Sequence, residues 1–103
     1  MMNEALTKNY EKTLKEQVAV IHAAFGEEPR TVAFVEVPKN VVVDQKLETA
    51  FRLTNNINRA WWENEEVTPV FFPEQGCRST SVGDMVLVGT EKYVCVSTGW
   101  KKV

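Results

Sequence analysis

Histidine is almost missing from this chain: its 103 residues contain one, His22, and only two cysteines, Cys77 and Cys95. Neither cysteine stands in a CxxC or Cys/His spacing, so the sequence offers no zinc site, and a hydrolytic triad would have to be built around a single imidazole. The five glycines never approach a GxGxxG or GxxxxGK pattern, which excludes the familiar phosphate-cradling loops. No apolar run reaches the roughly eighteen residues of a membrane span. There is also neither a basic-then-apolar leader nor an Asn-x-Ser/Thr acceptor. These absences imply a cytoplasmic protein with two reduced, buried thiols, a Cys77–Cys95 disulfide being the alternative. Charge of one sign is scarce too: the net charge is -2, and only the C-terminal third is basic. A broad electrostatic footprint for nucleic acid is therefore absent, as is an acidic run that would imitate one.

What is present is an ordinary globular composition, 44% hydrophobic and 25% charged. It is enough for one domain over residues 1–103 with a single core. Leu6, Tyr10, Leu14, Val18, Ile21 and Phe25 recur at steps of three and four, with Glu and Lys between them. This spacing predicts an amphipathic N-terminal helix over residues 3–25, stopped by Gly26 and Pro29. His22 then lies on the helix as a packed or partly exposed residue. The stretch 31–37, TVAFVEV, is β-branched and aromatic and ends at Pro38, which predicts a strand. Val41, Val42 and Val43 either extend that strand or form a short one of their own. Asp44 suits a helix N-cap, and Leu47, Ala50, Phe51, Leu53 and Ile57 share one side of a second helix ending near Asn56.

Residues 67–72 read as an edge strand because of Pro69 and Pro73. Gly83 and Asp84 form a capped turn before a hairpin of Met85-Val86-Leu87-Val88 and Tyr93-Val94-Cys95-Val96, joined by Gly89-Thr90-Glu91-Lys92. Gly99 bends the chain into a short tail that begins at Trp100. The expected architecture is α+β: N-terminal helix, strand, second helix, then a mainly antiparallel sheet closing in a C-terminal β-hairpin, with helices on one face.

Two stretches carry a resemblance. Arg78-Ser79-Thr80-Ser81-Val82-Gly83-Asp84, the two-strand unit with Tyr93, and Ser97-Thr98-Gly99-Trp100 together resemble the C-terminal pattern of small YodL-like domains. Leu47 to Asn64, with Thr54-Asn55-Asn56 and Trp61-Trp62-Glu63-Asn64, looks like the middle of the same short proteins of phage, prophage and plasmids. The resemblance implies a compact α+β domain and a mobile-element habitat, and no reaction.

For chemistry, the best enzyme-like constellation is Asp84 with Arg78 and Ser81, and a capped turn with a local salt bridge is the favoured explanation of it. We expect no catalytic residue, metal or cofactor. Binding is the stronger reading, since Trp and Arg dominate interface energetics and here they gather in loops beside a sheet. The expected contact residues are Asn58, Arg59, Trp61, Trp62, Arg78 and Trp100, and the expected partner is a host or partner protein. One alternative is a single-stranded nucleic acid held by aromatics and by Arg78, Lys92, Lys101 and Lys102. Another is a homodimer that buries the N-terminal helix or the edge strand at 67–72.

Overall fold

The computed structural model describes residues 14–57, 59–70 and 76–103. Valines concentrated at 18–20 and 32–37 organise a six-stranded antiparallel sheet in the order β3-β2-β1-β4-β5-β6. Its strands are β1 (Lys15–His22), β2 (Arg30–Pro38), β3 (Val67–Pro69), β4 (Met85–Val88), β5 (Glu91–Val96) and β6 (Gly99–Lys102). One helix, α1 (Val43–Leu53), and one 3-10 turn, Trp61–Glu63, connect β2 to β3.

The expected N-terminal helix is corrected by β1. Residues 1–13 of that expectation lie outside the described residues, but 15–22 is a strand paired with β2 on one side and β4 on the other. Its inner face carries Val18 and Val20 and its outer face Ala19 and Ile21, so apolar residues fall on both faces of the strand. Alternation is erased, and spacings of three and four remain by coincidence. The β-branched Val18, Val20 and Ile21 suit the pleated backbone better than a helix, where their χ1 freedom is lost. Gly26 has the expected left-handed backbone (φ 74), but it turns β1 into β2 instead of ending a helix.

Three smaller corrections follow from pairing. The hairpin is not the end of the sheet: Trp100 belongs to β6, which pairs with β5 and makes the C-terminal unit a three-strand meander. β5 begins at Glu91, so the β4–β5 turn is tighter than the sequence suggested. Valines 41–43 build no strand; Val42 caps α1 through its backbone and Asp44 lies in the first helical turn without capping it.

The core fills one face of the sheet. Leu47, Ala50 and Leu53 from α1 and the indole of Trp61 pack on Val18, Val20, Val35, Val37, Val67 and Val86, all buried. Fully burying a side chain of this size contributes about 1.5–3 kcal/mol. The opposite face presents Ala19, Ile21, Phe34, Met85, Leu87 and Val94, in register across β2, β1, β4 and β5. No helix or strand among the described residues lies over it.

Candidate functional site

Beside the core, the β1–β2 turn and the segment leading into β4 are joined by polar groups. Asp84 is fully buried. Its Oδ1 accepts the backbone N–H of Ala23 at 2.8 Å and Ala24 at 2.9 Å, and its Oδ2 accepts that of Ser81 at 2.8 Å. Arg78 donates to both oxygens, at 2.6 and 2.9 Å, in the two-pronged geometry that a guanidinium favours. Arg78 also pairs with Glu27 and lies 5.0 Å over the ring of Phe25. Burial acts to raise the Asp84 carboxyl, but Arg78 and the three N–H donors override it and hold the group at about 2. Gly83 reaches this clamp with φ 99 and no side chain; a Cβ there would meet the Cβ of Ala24 at 3.1 Å.

A second chain of hydrogen bonds runs inward from it. Thr54 Oγ1 donates to Ala50 O at 2.8 Å, and Thr80 Oγ1 donates to Thr54 Oγ1 at 2.8 Å. With its proton committed, Thr80 Oγ1 can only accept from His22 Nε2, 3.0 Å away. The imidazole therefore carries its proton on Nε2, and bare Nδ1 faces the Cys77 thiol, whose Sγ lies 3.7 Å off. Burial lowers the His22 pKa and raises that of Cys77. The two groups are thus held neutral, the reverse of the thiolate–imidazolium pair that makes a nucleophile. In this form the Asp84–Arg78–Ser81 constellation and the Cys77–His22 contact tie loops together. Among the described residues no His/Cys/Asp/Glu group is arranged to hold a metal ion.

The tryptophan loop divides between core and surface. Trp61 is at 0% exposure, and its Nε1 donates to the carbonyls of Arg78 at 3.0 Å and Cys77 at 3.3 Å. Asn56 accepts the Trp61 N–H at 3.0 Å, and Asn64 Nδ2 donates to Leu53 O at 2.8 Å, so these amides shape the loop. Trp62 is half-buried, edge-on to Trp61 at 5.6 Å. Trp100 is half-buried too; its Nε1 donates to Glu48 at 2.8 Å and its ring meets Phe51 edge-on. Asn58 lies outside the described residues. Of the expected contact residues that are described, Arg59 is the one left exposed, touching Asn64 Oδ1 at 3.3 Å.

Arg59 opens onto a depression that the sequence did not reveal. About 390 Å³ in volume, it is lined by Arg52, Leu53, Asn55, Ile57, Arg59 and Asn64. Ile57, expected on the buried side of the helix, is 70% exposed because α1 stops at Leu53 and the chain turns away. Arg52, in the last turn of α1, and Arg59 have no carboxylate within ion-pair distance among the described residues. The basic C-terminal residues are partly neutralised by contrast: Arg78 serves Asp84 and Glu27, and Lys102 pairs with Glu91 at 2.9 Å.

Arg52 and His22 carried signals that were present but unreadable alone. A basic residue in a last helical turn has an ordinary explanation in the helix dipole. His22 and Thr80 are 58 positions apart, and only the sheet brings them together. No described helix is long and apolar enough to cross a membrane. Comparison with known proteins adds no relative: no family model matches the chain, and no curated protein and no solved structure matches it.

Proposed function

We propose that this protein is a small non-enzymatic interaction module that binds a partner protein at the end of α1 and the loop that follows. Arg52, Arg59 and Ile57 make the contact. The observation that carries this reading is the depression itself: two guanidiniums with no carboxylate at ion-pair distance among the described residues, beside an exposed isoleucine and two amides. An exposed guanidinium pair next to an apolar side chain fits an acidic group with an aliphatic neighbour, and Arg is a residue type enriched at interface hot spots. The YodL-like motifs add a mobile-element habitat to the proposal, so the partner is a protein of the host that carries the element.

Panning a random peptide library against the protein and against its Arg52→Ala/Arg59→Ala variant tests this. Selected peptides should share a Glu or Asp beside an aliphatic residue, and should lose about tenfold or more in affinity for the variant. Peptides without an acidic residue, or peptides held equally by both proteins, would refute the proposal.

A further inference from the structure

The sheet face opposite α1 carries six apolar side chains at one height or the next. Across the strands, Thr68, Phe34, Ala19, Leu87 and Lys92 form one row; Thr31, Ile21, Met85 and Val94 form a second, with Lys101 beyond. Phe34 is 39% exposed, and Ile21, Met85, Leu87 and Val94 are half-buried with nothing described above them. Lys15 stands at the start of β1, and the remaining charge on this face lies at its two sides. Glu36 stands on β2, while Lys92 and Lys101 stand on β5 and β6.

We propose that this face is the interface of a homodimer, its occupant being a second copy of the same chain. A two-fold axis parallel to the strands, between the copies and over the seam of β1 and β4, exchanges left and right while keeping height. It sets Leu87 of the second copy over Ala19, Met85 over Ile21, and Val94 over Thr31. Leu87 then meets Ala19, the smallest side chain of its row, so the two faces interdigitate there instead of clashing. Lys92 of the second copy falls over Phe34, its aliphatic stem on the ring. Glu36 is two residues further along the same face, about 7 Å away, within reach of that ammonium. An axis perpendicular to the strands would instead stack β5 on β5 and bring the lysines together. Charge thus selects one of the two simple arrangements, and a dimer of this kind is isologous, with the Glu36–Lys92 contact made twice.

This face is separate from the depression at Arg52 and Arg59, and the dimer can hold whether or not that site binds a partner. The test is sedimentation equilibrium on the full chain, with circular dichroism and thermal melting of each variant alongside. Wild type should be a dimer at micromolar concentration. Leu87→Glu should be a folded monomer. Lys92→Glu, at an exposed site that folding does not need, should raise the dissociation constant by about tenfold, and Glu36→Lys combined with Lys92→Glu should restore it to within about threefold. A wild-type monomer at high micromolar concentration overturns the proposal. If its Leu87→Glu variant also melts lower, the face is covered by other residues of this chain; if the melt is unchanged, it serves a different partner. A dimer unaffected by Lys92→Glu and Leu87→Glu overturns the proposal as well, by placing the contact elsewhere.

Discussion

At the scale of single residues the account turns on Asp84. Five hydrogen bonds converge on one buried carboxylate, two of them from Arg78. Replacing it by Asn keeps the size but removes the charge that Arg78 faces, and leaves an amide N–H pointed at donors. Asp84→Asn should therefore cost about 3 kcal/mol, read as a lower urea midpoint. Its pH signature has a definite sign. The folded-state carboxyl sits at about 2 against an ordinary 3.8, so the folded protein binds this proton more weakly than the unfolded chain does. The stability it contributes is complete above the unfolded value and is lost as pH falls from about 4 through about 2. His22 acts at higher pH in the same direction: burial lowers it from 6.5, so the unfolded chain takes up the proton first and stability declines as pH drops below 6.5. Urea midpoints measured from pH 7 to pH 5 should fall for wild type and stay level for His22→Gln.

Trp61 and Trp62 separate at the same scale. Trp61→Ala should cost about 4 kcal/mol, because it empties the wedge between α1 and the sheet and frees two carbonyls from their indole donor. Trp62→Ala, at a half-buried ring, should cost under about 2 kcal/mol. Equal losses in paired denaturation curves would contradict the division of the loop into an inner and an outer indole. Adjacent side chains diverging was legible from the sequence. Which of the two turned inward was not, since that depends on the carbonyls of Cys77 and Arg78, far along the chain.

At the scale of elements, β1 is the test. It pairs on both sides, so Val20→Pro would remove a ladder N–H from a central strand and should unfold the domain. The short edge strand β3 already carries a proline, Pro69, at the alternate position whose nitrogen faces away from β2. Carbon chemical shifts of Val18 to Ile21, expected in the strand range, distinguish this from a helical 15–22. β2, α1, β4 and β5 were readable because each has a local signature: β-branched runs closed by proline or glycine, or a one-sided apolar stripe. β1 was not, because apolar Ala19 and Ile21 on its outer face break the alternation, and the sequence from Leu14 to Phe25 then satisfies a helical spacing as well. β6 was missed for a different reason. Gly99-Trp100-Lys101-Lys102 is too short and too polar to announce a strand, and its pairing with β5 supplies what its composition lacks.

At the scale of the whole molecule, the sheet has one face closed by α1 and Trp61 and another face unoccupied among the described residues, with a basic depression at the rim where α1 ends. The candidate site was half legible: Arg59 could be named from its setting among tryptophans and amides, while Arg52 and Ile57 could not, since only the end of α1 at Leu53 turns them toward Arg59. The expected cluster of three indoles on one contact surface does not form, because Trp61 is buried and Trp62 and Trp100 have separate neighbours.

The most direct measurement is an amide nitrogen–proton spectrum of the labelled protein titrated with an acetylated Leu-Glu peptide and with its Leu-Gln counterpart. We expect saturable shifts at Leu53, Asn55, Ile57, Arg59 and Asn64 with the acidic peptide alone, absent in Arg52→Ala/Arg59→Ala. Shifts confined to Lys92, Lys101 and Lys102, or identical shifts with the two peptides, would contradict the account.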